Sequence, residues 1–264
     1  MFNNNEIEVR FNEFMYGKNL RNICDVYPIV PAGKIKKSWW KIMKTHYDIF
    51  LSSTRKEFKS IGPTMKYCPG VYDFTNYGYI VPAWQDFQFY VDDNGGIEWQ
   101  VPPTINHIDN IRPHGQEQVD TCPIMESKDT SEYILKLVSP WFISTPKGTS
   151  IIICKPFYHY SNDFDVCPGV LDSDIDRASN KMINAFIRFN VRNKIIHIKA
   201  GQPLLQLIPF KRTNWKLKHV EIDKNFKDKV LAGRVSNDTR FAPHTTDKNS
   251  MTKSRHDDSN KKFE

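Results

Sequence analysis

Phe87-Gln88-Phe89-Tyr90-Val91, then Asp92-Asp93-Asn94-Gly95-Gly96, then Ile97-Glu98-Trp99-Gln100-Val101 spell out a strand, a turn and a second strand. Phe87, Phe89 and Val91 recur at every second position, the period of a strand with one buried face. Two aspartates, an asparagine and two glycines supply the backbone freedom and local hydrogen bonds of a tight reversal. Pro102-Pro103 then ends the second strand, because proline cannot donate to a ladder. Phe87 to Val101 therefore predicts a β-hairpin.

The flanking sequence has the same texture. Short apolar or alternating runs predict strands at Glu6 to Phe11, Tyr79 to Val81, Tyr133 to Val138, Trp141 to Ser144 and Ser150 to Cys154. Further strands are predicted at Met182 to Val191, Ile195 to Lys199 and Pro203 to Pro209, with Gly148 and Gly201 at turns. Tyr27 to Gly33, with Pro28 and Pro31, is expected to be irregular, and Thr104 to Thr130 reads as a long polar connection. Ile35 to Phe58 departs from the strand pattern. Trp39, Trp40, Ile42, Met43, Ile49 and Phe50 recur at spacings of three and four, which predicts a helical insertion ended by Gly62-Pro63. Trp215 to Leu231 is read as a final amphipathic helix. The segment 233–264 is too polar to offset ordering entropy and is expected to be a disordered basic tail.

A hexapeptide occurs twice. Cys68-Pro69-Gly70-Val71-Tyr72-Asp73 returns as Cys167-Pro168-Gly169-Val170-Leu171-Asp172. Phe89 and Val91 are then echoed by Phe189 and Val191, and Gly95, Gln100 and Pro103 by Gly201, Gln206 and Pro209. The order is preserved, so an internal duplication is expected, with repeats at about 39–103 and 141–209. The predicted fold is mainly β, with α+β as the alternative. Its core is an internally duplicated β-sandwich, or a β-clip or barrel-like arrangement, in one globular domain over 1–232. A seam between the copies is the natural place for a ligand.

Composition narrows the function classes. Of 264 residues, 39% are hydrophobic, and no run approaches the roughly 18 to 20 apolar residues of a membrane span. The first ten residues lack the pattern of a secretory leader. Five cysteines without a CxxC pair predict reduced thiols and a cytoplasmic location. The formal charge of +7 is carried largely by Lys211 to Glu264, where basic residues alternate with Glu221, Asp223 and Asp228. A solvated tail and a phosphate-contacting tail are both compatible with that pattern.

The second half resembles trimeric dUTPases and dCTP deaminases, which have a β-clip fold. The resemblance rests on Gly169-Val170-Leu171-Asp172-Ser173-Asp174 and on Gly201-Gln202-Pro203-Leu204-Leu205-Gln206-Leu207. It implies that Asp172 takes a water-orienting place and Gln206 a nucleotide-contacting strand position. The family's arginine between the glycine and the glutamine has no counterpart, and Leu204 stands near its place. A longer resemblance covers Ile29 to Trp215. It is carried by Ile29-Val30-Pro31-Ala32, Ser38-Trp39-Trp40-Lys41, Gly78-Tyr79-Ile80-Val81-Pro82, Pro140-Trp141-Phe142-Ile143-Ser144-Thr145-Pro146 and Gly201 to Arg212. These stretches are similar to a protein family recurrent in tailed marine phages, with bacterial relatives. That resemblance implies a phage-infected bacterial cytoplasm and no particular chemistry.

Several residue groups carry candidate chemistry. Asp73 and Asp172, equivalent in the two hexapeptides, are candidate paired catalytic carboxylates if they meet, and turn caps if they do not. Gln100, Gln206 and Trp99 are candidate ligand contacts. His107, Asp109 and His114 are a candidate two-histidine, one-carboxylate metal site, against a plain reading as surface histidines. The sequence identifies no cofactor. Three function classes follow. The first is a non-catalytic binding or assembly protein with a phage or host partner. The second is a metal-dependent or nucleotide-directed enzyme using the seam. The third is a nucleic-acid binder acting through the tail.

Overall fold

The computed structural model describes residues 6–16, 25–35, 38–53, 56–101, 111–114, 118–119, 131–159 and 161–231. The tail at 233–264, His107 and Asp109 lie outside them. The chain divides into two compact units, one of residues 1–47 with 64–213 and one of 48–63 with 214–264. The sequence reading had a single unit over 1–232.

The first unit is built from antiparallel sheets, and among its described residues no closed barrel forms. The strands are β1 (Glu8–Phe11), β2 (Val30–Pro31), β5 (Tyr79–Pro82), β6 (Phe87–Val91), β7 (Ile97–Gln100), β8 (Ile111–His114), β9 (Ile134–Ser144), β10 (Thr149–Cys154), β11 (Phe164–Val166), β12 (Gly169–Leu171), β13 (Met182–Phe189), β14 (Lys194–Ile198) and β15 (Pro203–Lys211). One five-stranded sheet runs β1-β9-β13-β11, with β8 also pairing to β9. A second runs β12-β10-β15-β5-β2, and a three-stranded sheet runs β14-β6-β7. Strands β3 (His46–Ser53) and β4 (Lys56–Pro63) form a two-stranded sheet. The helices are short: α1 (Glu13–Tyr16), α2 (Ser38–Ile42), α3 (Pro69–Asn76) and α4 (Ala178–Lys181).

Alternation makes the core. Along β13, Ile183, Ala185, Ile187 and Phe189 are all buried, and the residues between them are half-buried. Phe87, Phe89 and Val91 do the same on β6, meeting Ile196 and Ile198 of β14. Burying a side chain of this size contributes about 1.5–3 kcal/mol. The hairpin expected at Phe87 to Val101 forms as β6 and β7, with Phe89 opposite Trp99. Its turn is tied by Asp92, whose Oδ1 accepts from the Asn94 and Gly96 amides, each at 2.8 Å. Gly95 there takes φ +94°, a conformation that side chains with a Cβ disfavour.

Three expectations are corrected. Among the described residues of the helical insertion expected at Ile35 to Phe58, helix covers Ser38–Ile42, and His46–Ser53 is strand. Ile49, Phe50 and Phe58 also fit a strand, because short apolar runs do not distinguish the two periods. Trp215 to Leu231 is helical only over 224–231, and every residue of 212–231 is exposed. The polar connection Thr104 to Thr130 contains strand β8, paired in register with β9.

The repeated hexapeptides take different conformations. Pro69–Asn76 is helix α3, with Cys68 preceding it, whereas Gly169–Leu171 is strand β12. Pro69 suits the first turn of a helix, where its missing N–H costs nothing. After Pro168, the chain instead finds a ladder partner in β10. The echoed segments also hold different places. Phe89 lies on the middle strand of the three-stranded sheet and Phe189 on β13. The two stretches are alike in sequence and unlike in conformation.

Candidate functional site

A polar cluster sits where β10 begins and β12 and β15 end. Register brings it about: Ser150 on β10 faces Phe210 on β15, and Ile151 faces Leu171 on β12. Asp172 and Asp174 follow β12 directly, and Arg212 follows β15 directly. Arg212 Nη1 donates to Ser150 Oγ at 2.8 Å, to Asp172 Oδ1 at 3.1 Å and to Asp174 Oδ1 at 2.9 Å. Its Nη2 donates to Asp174 Oδ2. Ser150 Oγ also donates to Asp172 Oδ1 at 2.6 Å, and the Gly148 amide to Asp174 Oδ2 at 2.8 Å. Beneath them the Thr145 and Ser173 hydroxyls meet at 2.9 Å, both buried.

The electrostatics follow from the geometry. The Arg212 guanidinium holds the Asp174 carboxyl below the usual carboxylate range, and the Gly148 N–H adds to this against the opposing effect of burial. The same carboxylate raises Arg212. Asp174 is 6% exposed, whereas Arg212 and Asp172 are 38% and 41% exposed. One carboxylate is thus internal, and the other shares the guanidinium while open to water. Asp174 and Arg212 were not singled out from sequence. The Asp172-x-Asp174 spacing and the arginine closing the last strand were the visible signals.

The other candidates are dispersed. Asp172 follows β12, one edge of its sheet. Asp73 is exposed on α3, which packs by the turn Ala32–Lys34 after β2, the opposite edge. Gln206 is 1% exposed, and its amide is spent on backbone. Its Oε1 accepts from the Phe157 amide at 2.9 Å, and its Nε2 donates to Tyr77 O at 2.7 Å and Phe74 O at 3.4 Å. It therefore ties the end of α3 and the loop after β10 to the centre of the sheet. His114, on β8, lies with its ring 5.0 Å from that of Phe186, and its Nδ1 meets Gln118 Oε1. Among the described residues no group of three His, Cys, Asp or Glu side chains is gathered to hold a metal ion.

Gln100 belongs to a different surface. On the three-stranded sheet Gln100 stands opposite Gln88, and Gln88 opposite His197. In the adjacent row Glu98 stands opposite Tyr90, and Tyr90 opposite Ile195. These six face away from the core. Ile195 is 52% and Tyr90 37% exposed. Trp99 lies on the core side of β7, but at an edge of the sheet, which leaves it 38% exposed.

A second charged cluster lies on β10, β11 and β13. Lys155 Nζ donates to Asp165 Oδ1 at 2.6 Å, and Asn190 Nδ2 donates to Asp165 Oδ2 at 2.7 Å. Burial pushes Asp165 up, but these bonds and the charges of Lys155 and Arg188 outweigh it and hold the carboxyl below its ordinary value. Lys155 also donates to Ser161 O and Phe164 O, so it is a loop anchor.

No family model matches the chain, and no curated protein matches it. Solved structures do match. A point mutant of the dUTPase from phage phi11 of S. aureus is 12% identical, with a TM-score of 0.32, over 56% of this chain and 85% of that one. Another structure of the phage phi11 dUTPase is 11% identical, with a TM-score of 0.32, over 84% of this chain and all 100% of that one. A mutant dUTPase of Staphylococcus bacteriophage 80alpha with dUpNHpp is 11% identical, with a TM-score of 0.31, over 57% and 86%. Values this low leave the site to be argued from its own geometry. No helix among the described residues is long and apolar enough to cross a membrane.

Proposed function

We propose that the chain is a binding or assembly protein of a phage, acting in the cytoplasm of the infected host. Its contact surface is the outer face of the β14-β6-β7 sheet. The observation that supports this reading is the pair of rows Ile195-Tyr90-Glu98 and His197-Gln88-Gln100, turned to solvent on a sheet whose other face is core. Exposed aliphatic and aromatic groups flanked by hydrogen-bonding side chains are the makings of an interface. Covering them with a second copy removes the apolar area of Tyr90 and Ile195 from water, with Glu98 at the β7 edge of the face. Light scattering over a concentration series tests it. The chain is expected to self-associate, and Tyr90→Ser with Ile195→Ser to shift it to monomer. A chain that is monomeric throughout overturns the reading.

One observation favours a second reading, a nucleotide-directed enzyme. Asp172 keeps contact with water while bonded to Ser150 and Arg212, so an oxygen of that carboxylate is accessible to a ligand or a water. Pyrophosphate release from deoxynucleoside triphosphates, lost in Asp172→Asn, is its test.

A further inference from the structure

The stretch from Val26 to Tyr47 contains Lys34, Lys36, Lys37, Lys41 and Lys44 and no aspartate or glutamate. Within it lie Trp39 and Trp40 on α2. Their rings are 5.3 Å apart, and the run continues to Tyr158 at 5.7 Å from Trp39 and to Tyr72 at 6.5 Å from Trp40. Phe74 and Phe157 meet beside it at 4.2 Å. Tyr72 is 42%, Phe74 50% and the nearby Tyr77 54% exposed, whereas Trp39, Trp40, Phe157 and Tyr158 are half-buried. Soluble proteins seldom present so many aromatic groups together without a use.

The platform is held in place from below. Buried Gln206 fixes the backbone of Phe157, Phe74 and Tyr77. Trp39 Nε1 donates to Tyr158 O at 3.0 Å. Tyr158 adopts φ 60°, a left-handed conformation rare for a bulky residue, and such conformations persist where the surroundings impose them. The charges around it are unbalanced. Lys34, Lys41 and Lys44 are exposed, and among the described residues no carboxylate pairs with them. Lys66 is partly exposed and donates to Met43 O. Asp73 is the acid on α3.

We infer that this surface binds single-stranded nucleic acid. Exposed rings offer stacking to unpaired bases of any identity, and the lysines neutralise the phosphates between them. A duplex keeps its bases stacked on one another and gives the rings nothing to stack on. A protein partner would have to place carboxylates to match the lysines as well as cover the rings, whereas a single strand carries a phosphate and a base in every nucleotide. The site is separate from the β14-β6-β7 face and does not depend on the function proposed for it.

Fluorescence anisotropy with the full chain tests it, using labelled oligo-dT, oligo-U and a DNA duplex of equal length. Tighter binding of a single strand than of the duplex is expected, with affinity falling as salt rises. Lys41→Glu with Lys44→Glu is expected to weaken binding at least about tenfold and to flatten the salt dependence. Tyr72→Ala and Phe74→Ala are each expected to weaken it roughly 5- to 150-fold. All four side chains are exposed, and unchanged thermal melting separates loss of contact from loss of fold. The two single strands differ in sugar and base, and preference for one assigns DNA or RNA. Equal affinity for duplex and single strand, binding that survives the charge reversal, or no binding would each overturn the inference.

Discussion

Asp174 closes on Arg212 through both carboxylate oxygens, with Arg212 Nη1 on Oδ1 at 2.9 Å and Nη2 on Oδ2. The pair clamps the turn after β12 onto the end of β15, and the Gly148 amide brings in the β9–β10 turn. Two turns and the end of a strand are therefore fastened by one carboxylate.

The pair sets a pH dependence. The folded state holds Asp174 below its ordinary value, which is about 3.9 in an unfolded chain. A depressed folded pKa means that the unfolded state takes up the proton first as pH falls. The stabilisation is thus complete above about pH 4 and is lost as pH drops through the folded value. Thermal melting from pH 7 to pH 2 should show a fall below pH 4 that is shallower in Asp174→Asn. Asp165, lowered in the same direction, leaves a residual slope. An identical acid profile in the variant would refute the assignment.

Gln206→Leu keeps volume and removes every hydrogen bond of the amide. The Phe157 N–H and the Tyr77 carbonyl then lose their partner, at a cost of about 1–3 kcal/mol for each group left buried and unsatisfied. Denaturant unfolding should report that loss. Tryptophan fluorescence should also shift, because Trp39 leans on the same loop through Tyr158. A variant as stable as the parent would contradict the anchoring role.

Phe89 and Phe189 are fully buried, with ring centroids 4.9 Å apart. Each truncation to alanine is expected to cost about 3–5 kcal/mol. Because the rings touch, the double variant should lose less than the two singles added, by about 0.5–1.5 kcal/mol. Strict additivity in a double-mutant cycle would show that the contact is energetically idle.

Gly78 has φ +74°, and a Cβ there would stand 2.1 Å from the Leu207 carbonyl oxygen. The neighbour is backbone of a central strand and cannot yield cheaply. Gly78→Ala should therefore destabilise by at least about 2 kcal/mol. A melting temperature equal to the parent's would refute the clash.

The mainly β class and most strands were legible because alternation over β6, β13 and β14 is strict and one face is core. The hairpin turn was legible because Asp92 to Gly96 is chemistry that only a turn uses. The site was less so. Asp172 could be picked out, but Asp174 and Arg212 are joined by a register between β10, β12 and β15 that no local pattern encodes. Gln206 was visible as a strand residue, and its burial was not, since it depends on α3 covering the sheet. The hexapeptides show the limit most clearly. Cys-Pro-Gly-Val is compatible with a helix start and a strand start, and only the available partner settles which forms.

In the order β12-β10-β15-β5-β2 the middle place belongs to the strand that comes last among the described residues. Until Pro203–Lys211 has been synthesised, β10 with β12 and β5 with β2 are separate ribbons, each showing the other an unpaired edge. The sheet therefore cannot close while the chain is still being made through residue 202. A ribosome that stops early releases two half-sheets with sticky margins, a product that quality control must remove before it aggregates.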